Sequence, residues 1–343
     1  MNIHAAGLDI GKYVFHFVGL NESGEVVVKK RFSRAQLLSF TANLVIGVVG
    51  MEACSGAHFL ARMLQAQGHQ VRIIIPAQYV RPFVKSNKND YIDAEAIAEA
   101  VQRPTMRFVP VKTDDQLDIQ ALHRARERWI ARRTSLVNQL RAFLLERGIV
   151  VRQGPEFLRD YLPTFFGDTE TTLSGCMRTI LLELWHEWEE LEGRIARANE
   201  TMTAMVADHE ACQRLQSIPG IGIVTATAIV AAIGNGAAFR KGRDFAAWLG
   251  LVPKQFSTGG KPRLLGISKR GNPYLRQLFV HGARAVFSRS KRDRHHFGSW
   301  LNELELRKKP SVSIVALANK LARIAWAVLT KEQLYQGVIT STT

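Results

Sequence analysis

Asp90 and Asp93 stand three residues apart in Lys88-Asn89-Asp90-Tyr91-Ile92-Asp93-Ala94-Glu95-Ala96-Ile97-Ala98, at the start of an apolar-periodic helical stretch. That spacing is close to one helical turn, so both carboxylates can face the same way. Like charges on one helix face repel unless a cation lies between them, and hard divalent ions such as Mg²⁺ take carboxylate oxygens as ligands. Acids in a first helical turn also complement the helix dipole with no metal at all, so the pair needs company to be a site. Asp9 ends an apolar run in Gly7-Leu8-Asp9-Ile10-Gly11-Lys12, and Glu52 ends another in Val48-Val49-Gly50-Met51-Glu52-Ala53. Singly, Asp9 reads as a turn residue and Glu52 as a cap for the helix after Ser55. Four converging carboxylates are prohibitive without cations, and two-metal phosphoryl chemistry uses that arrangement to stabilise attacking and leaving oxygens.

For those acids to meet, the chain must carry them on neighbouring elements. From Ile3 to about Gln78, short β-rich runs alternate with helical ones, the pattern of an α/β sheet. The expected strands are Ala5–Ile10, Val14–Leu20, Glu25–Arg31, Leu44–Met51 and Val71–Ile75, with Asn21-Glu22-Ser23-Gly24 as a hairpin turn. Helical segments at 34–43 and 56–67 precede the last two strands, which therefore add in parallel through crossovers. Three meandering strands followed by βα units is the order of ribonuclease-H-like folds. There the first and fourth strands are neighbours, so Asp9 and Glu52 would share one edge within reach of Asp90 and Asp93.

The 343 residues are 46% hydrophobic and carry a formal net charge of +16, which suggests a polyanionic partner, nucleic acid first. The basic residues are spread through structured-looking segments rather than one amphipathic helix, which argues against a membrane surface. Cys54, Cys176 and Cys212 show no CxxC spacing, so neither a disulfide framework nor a zinc ribbon is supported. With no leader-like N-terminus and no run near bilayer-spanning length, the expectation is a cytoplasmic protein.

Residues 114 to about 147 form a long Arg- and Leu-rich helical pattern, capped by Thr113 or Asp114 and ended by Gly148. A second, from about Thr171 to His209, carries Leu181, Leu182, Leu184, Trp185, Trp188, Leu191 and Ile195 at helical spacing. Together they suggest a helical hairpin or coiled-coil insertion whose Trp and Leu stripe is core or a subunit seam. Residues 154–167, punctuated by Pro155 and Pro163, read as a connecting loop. Ser217-Ile218-Pro219-Gly220-Ile221-Gly222 before an Ala/Ile/Val-rich helix resembles a helix-hairpin-helix, whose Gly-containing turn lets backbone N–H groups approach a phosphate. A tight turn between packed helices explains the same residues.

Between Arg240 and Lys309, 17 Lys or Arg face four Asp or Glu, whereas solubilising faces mix both signs. Within this segment Gly250-Leu251-Val252-Pro253-Lys254-Gln255-Phe256-Ser257-Thr258-Gly259-Gly260-Lys261-Pro262-Arg263 places Ser257 in a flexible Gly-rich loop among cations. From spacing alone Ser257 is a loop hydroxyl, with no His or Lys arranged as in a hydrolase triad. Ser268 reads equally as an N-cap or a phosphate contact. Lys254, Lys261, Arg263, Lys269, Arg270 and Arg276, with the turn glycines Gly220 and Gly222, are the expected nucleic-acid contacts, Lys261 and Arg263 nearest Ser257.

Asp9-Ile10-Gly11-Lys12 also resembles the first phosphate loop of actin-like ATPases, but no second Asp-x-Gly loop or Gly-rich adenosine site follows. A closer resemblance spans about residues 3–330. Gly7-Leu8-Asp9-Ile10-Gly11-Lys12, Met51-Glu52-Ala53, Lys88-Asn89-Asp90-Tyr91-Ile92-Asp93-Ala94, Ile218-Pro219-Gly220-Ile221-Gly222 and Ser257-Thr258-Gly259-Gly260-Lys261 look, in order, like the blocks of the DEDD transposases of bacterial insertion sequences. These are the RNA-guided bridge recombinases of insertion-sequence family 110. The resemblance implies an α/β RuvC-like (ribonuclease-H-like) domain over 1–112, a helical coiled-coil region over 113–212, and a mainly α transposase domain over 213–343. It implies Mg²⁺ held by Asp9, Glu52, Asp90 and Asp93, and Ser257, which precedes the Gly-Gly-Lys stretch, as the nucleophile that forms a transient covalent link to DNA. It also implies a structured noncoding guide RNA that pairs with donor and target DNA, and a tetramer, assembled via dimers, in which acidic and serine centres of different subunits combine.

The expectation is a site-specific DNA recombinase or transposase that excises and inserts its own element. Two rivals explain parts of the pattern: a Holliday-junction-resolving nuclease that uses water at the acidic quartet, and a non-catalytic basic nucleic-acid-binding scaffold whose acids are structural.

Overall fold

The computed structural model describes residues 2–74, 83, 89–167, 173–288 and 297–336. Its contacts divide the chain into two units, Met1–Asp114 and Asp115–Thr343.

The first unit is built on side-chain alternation. β1 (Ile3–Ile10), β2 (Phe15–Leu20) and β3 (Val26–Phe32) form an antiparallel meander. The β2–β3 turn is tied by Asn21, whose side-chain oxygen accepts from the Ser23 hydroxyl and the Glu25 N–H. α1 (Arg34–Thr41), started by a capping box between Ser33 and Gln36, leads to β4 (Ile46–Glu52), and α2 (Ala57–Ala66) leads to β5 (Val71–Ile74). Both strands add in parallel. After α3 (Asp90–Ala100), the two-residue β6 (Phe108–Val109) closes the sheet antiparallel to β5, giving the order β3-β2-β1-β4-β5-β6.

Alternate residues of a strand face opposite sides. Ala6, Leu8, Phe15, Phe17, Val49 and Met51 pack with Leu37, Leu60 and Leu64 of α1 and α2. Ala5 and Val48 meet Ala96, Ile97, Ala100 and Val101, and Val18 and Leu20 meet Ala94 and Ala98. Continuing the alternation puts Asp9, His16 and Glu52 on the α3 side. The five expected strands are present, the first four with starts shifted by one or two residues and the fifth starting at Val71 as expected. Ile75, the expected end of the fifth, lies outside the described residues, as do Lys88 and Thr171. β6 was not anticipated, because two residues show no readable period.

In the second unit α4 (Asp114–Leu145) and α7 (Gly175–Ala207) run for 32 and 33 residues, α7 starting where Ser174 accepts from the Met177 N–H. Leu136, Leu140 and Leu144 share a core with Leu181, Trp188 and Leu191, and Arg132 and Arg133 pair with Glu187 and Glu192 between the helices. The expected loop at 154–167 contains two short helices instead, α5 (Pro155–Tyr161) and α6 (Thr164–Gly167). Pro155 occupies the first turn, where the missing N–H costs nothing, so it starts the helix. Leu158, Leu162 and Phe165 then anchor the segment in the same core.

α8 (Glu210–Gln216), α9 (Ile223–Ile233), α10 (Gly242–Trp248), α11 (Pro273–Phe287), α12 (Gly298–Glu305) and α13 (Pro310–Lys331) share a separate core, while β7 (Pro253–Thr258) and β8 (Lys261–Ile267) form a hairpin between α10 and α11. α13 is long and apolar enough to cross a membrane, contrary to the reading that no run approaches that length. Leu317, Ala318, Leu321, Ala322 and Ala325 are buried in the bundle core, which accounts for its apolar character.

Candidate active site

Three adjacent strands each deliver one side chain to the same end of the sheet. Asp9 pairs with His16 across β1 and β2. The parallel register that sets Gly7 beside Gly50 and Leu8 beside Met51 brings Asp9 alongside Glu52. His16, Asp9 and Glu52 therefore form a row with a strand spacing of about 4.8 Å.

α3 brings the remaining acids from above. Asn89 caps it, its side-chain oxygen accepting from the Tyr91 N–H at 2.9 Å, so Asp90 opens the helix and Asp93 lies three residues on. The helix approaches closely because two strand residues beneath it, Gly7 and Gly50, lack side chains. A Cβ on Gly7 would fall 2.5 Å from the Ala98 nitrogen and closer still to the Ala94 carbonyl oxygen, and one on Gly50 would fall 2.8 Å from Val101 Cβ. This glycine floor sets the height at which Asp90 and Asp93 meet the row.

Ligand atoms of Asp9, His16 and Asp90 all lie within 4.8 Å of one another, with His16 Nδ1 3.7 Å from Asp90 Oδ2. The Tyr91 ring meets the His16 ring edge-on at 4.7 Å and carries the Lys29 ammonium over its face. Burial, then the charges of Asp9 and Asp93, push the Glu52 carboxyl above its ordinary pKa. Burial, Asp9 and Glu52 likewise raise the Cys54 thiol. Asp9 and Asp93 are thus close enough to Glu52 to oppose its ionisation. A divalent cation would relieve that opposition, and a carboxylate-rich donor set fits one. His16 was not among the sequence candidates; its only signal was its place opposite Asp9 across a short turn.

Ser257 lies in the second unit, on β7. Gly259 and Gly260 have φ of 56° and 74°, the backbone that a two-residue hairpin turn requires. A β-arm therefore replaces the expected flexible loop, and every residue from Pro253 to Gly266 is exposed. Ser257 Oγ accepts from Gln255 Nε2 at 2.9 Å. Lys261 and Arg263 pair with Thr258 and Phe256, whereas Ser257 pairs with Pro262. Lys261 and Arg263 thus flank the residue opposite Ser257, and alternation turns both cations to the other face of the hairpin.

The base of the arm is tightly crossed. A Cβ on Gly250 would fall 2.5 Å from the Arg270 nitrogen, and one on Gly271 would overlap the Trp248 carbonyl. Arg276 Nη1 donates to the Leu249 and Arg270 carbonyls at 2.9 and 2.8 Å, so this arginine fastens the crossing. Lys254, Lys269 and Arg270 are exposed near it. In the α8–α9 turn, Gly220 has φ of 89° and abuts α11, where a Cβ would fall 2.8 Å from the Gly282 carbonyl oxygen. Close packing explains that glycine, while Gly222 opens α9 with free space around its Cβ position.

The family described as "Transposase IS116/IS110/IS902 family" matches residues 212–298, and the DEDD "Transposase" family of IS110 matches residues 6–148. A "Probable family 20 transposase" of Pseudomonas aeruginosa is 44% identical over 98% of this chain and 99% of its own length. The "Transposase for insertion sequence element IS1328" of Yersinia enterocolitica is 43% identical over 96% and 98%, and that for IS1111A of Coxiella burnetii is 42% identical over 98% and 92%. Similarity of this extent, covering both the carboxylate row and the serine arm, means that the chain belongs to the IS110/IS116/IS902 family of transposases, enzymes that cut and rejoin DNA.

Proposed function

We propose that the chain excises and inserts its own insertion sequence with Ser257 as nucleophile, Mg²⁺ held by Asp9, Glu52, Asp90 and Asp93, and a structured noncoding RNA that pairs with donor and target DNA. The observation that carries the acidic half is geometric: the strand register sets Asp9 beside Glu52, and a ligand atom of Asp90, at the start of the helix seated on Gly7 and Gly50, lies within 4.8 Å of one of Asp9. Mg²⁺ bound there would supply charge stabilisation at the scissile phosphate and a lowered hydroxyl pKa. Ser257 supplies the attacking oxygen: the Oγ–P bond forms as one P–O bond to a sugar breaks, and the hydroxyl proton ends on the released sugar oxygen. Reversal with a different sugar hydroxyl rejoins the strand.

The exposed arm on a fastened base supports this role for Ser257, because it can reach a duplex while its root stays fixed. Gln255 orients the hydroxyl through its amide. Lys254, Lys269 and Arg270 contact phosphates on one approach, and Lys261 and Arg263 from the opposite face of the arm. The division into 1–112, 113–212 and 213–343, the guide RNA, and a tetramer that combines centres of different subunits belong to the same proposal and rest on the family resemblance.

The test mixes purified chain, RNA transcribed from the element, labelled DNA and Mg²⁺. Wild type should give a detergent-resistant protein–DNA adduct, and Ser257→Ala, Asp90→Asn and Asp93→Asn should give none. Cleavage that survives Ser257→Ala would establish water as the nucleophile, and activity that survives both Asp variants would make the acids structural. Cleavage at the same site without RNA would remove the guide from the account.

A further inference from the structure

We propose that a groove at the root of the serine arm holds a short unpaired stretch of the DNA strand being cut, with its bases against an apolar wall and its phosphates on a cationic rim. The groove, of about 1510 Å³, runs between α13, the start of α10 and the base of the β7–β8 hairpin. A pocket for one small molecule measures roughly 300–1,000 Å³, so this space suits several linked nucleotides. Its rim carries Lys241, Arg243, Lys269, Lys320 and Arg323, and no carboxylate stands among the described residues that line it.

The wall stays apolar where solvent reaches it. Val312 is 49% exposed and Leu265 45%, and with Ile267, Val315 and Trp326 they line the groove beside Trp300. Trp326 is fixed by donation from its Nε1 to the Gly236 carbonyl at 3.1 Å. The Lys320 ammonium lies 4.3 Å from the centre of the Trp300 ring, so a cation and a flat apolar surface sit side by side. Burial, then the Arg323 charge, lower the pKa of Lys320, and a bound phosphate would oppose that shift.

A nucleotide combines an anion with a flat apolar body, and single strands bind proteins through the same pairing of cations with aromatic stacking. A paired duplex keeps its bases inside and can reach only the rim. A second copy of this chain, with its net charge of +16, would be repelled by five cations. DNA is the source because Pro253, which lines the groove, stands four residues before Ser257 on β7, about 13 Å along a strand. At about 3.4 Å per nucleotide, that is roughly four nucleotides from the cut. This distance rests on the reading of Ser257 above; the chemistry of the groove does not.

The full-length protein is titrated in EDTA with two labelled DNAs of one sequence from the element end, a paired duplex and the same duplex with a gap of about four nucleotides in one strand. Wild type should bind the gapped DNA at least about fivefold tighter, the equivalent of one stacked base. Trp300→Ala and Val312→Glu should each remove that preference, and because Val312 is exposed, Val312→Glu carries the test if Trp300→Ala fails to fold. Arg323→Gln should reduce the salt slope by about 0.7 on gapped DNA and leave that on the duplex unchanged. 5-Iodouracil opposite the gap should cross-link to Trp300 or Trp326. Equal affinity for the two DNAs, or a preference that persists in Val312→Glu, overturns the proposal, and tighter binding when the unpaired stretch is RNA overturns the choice of DNA. Ser257→Ala should keep the preference. A preference without any covalent adduct on Ser257 overturns the nucleophile reading alone, and an adduct on Ser257 without the preference overturns the groove alone.

Discussion

Gly7→Ala places one methyl group between β1 and α3, and the structure says what it must do. The new Cβ would fall 2.5 Å from the Ala98 nitrogen, against an ordinary contact of 3.4 Å or more. α3 must therefore retreat by about 1 Å or more. The obstacle is helix backbone, which cannot rotate aside as a side chain can. Overpacking of this kind costs about 1–3 kcal/mol of stability. The larger consequence is functional, because Asp90 and Asp93 ride on the displaced turn, and a misplacement of about 1 Å is enough to cost roughly 100-fold in rate. Gly50→Ala meets Val101 Cβ at 2.8 Å, a milder overlap than that at Gly7, so its effect should be smaller in both respects. Denaturant midpoints and Mg²⁺-dependent strand cleavage would be measured on both variants. A Gly7→Ala protein with wild-type stability and cleavage would refute the claim that glycine-on-helix contact sets the geometry of the acids.

Three further outcomes follow from the same contacts. His123, only 3% exposed, bonds Tyr274 and Thr227, and burial holds its pKa down at about 4. The unfolded chain takes that proton near pH 6.5, so stability should be full above pH 6.5 and fall by up to about 3 kcal/mol on the way to pH 4; His123→Gln should flatten this slope in urea unfolding, and an unchanged slope would remove His123 as its source. Glu52→Gln removes one of the opposed carboxylates, so in EDTA at pH 7 it should melt above wild type while gaining less from added Mg²⁺; a lower melting temperature in EDTA would mean that Glu52 is held by attraction. Arg276→Met removes two bonds to carbonyls at the arm's base, costing about 1–3 kcal/mol and accelerating amide exchange at Ser268 and Lys269; unchanged exchange would show that Gly250 and Gly271 hold the crossing unaided.

The sheet was legible because its strands keep a two-residue period between a broad apolar face and a face of small residues. Ala5, Gly7 and Asp9 on one side of β1 alternate with Ala6 and Leu8 on the other, and the acids sit where the pattern stops. His16 was not legible: a lone histidine in an apolar strand carries no signal until the register sets it opposite Asp9. The purposes of Gly7 and Gly50 were hidden for a similar reason, since a glycine in a strand does not announce which helix will cross it. At the serine arm, the glycines among Lys and Arg favoured a loop, and because the strands bury neither face, with Phe256, Leu264 and Leu265 exposed, no apolar alternation marked them. Only the Gly259–Gly260 turn could have suggested the hairpin. In α5 and α6, two prolines suggested a break where one of them begins a helix.

The most direct test of the account is to trap the cleavage intermediate, digest it, and locate the nucleotide remnant by mass spectrometry. The account predicts a phosphodiester on Ser257, absent when Asp90 is replaced by Asn. A remnant on Thr258 or Ser268, or cut DNA with no remnant on any residue, would contradict it.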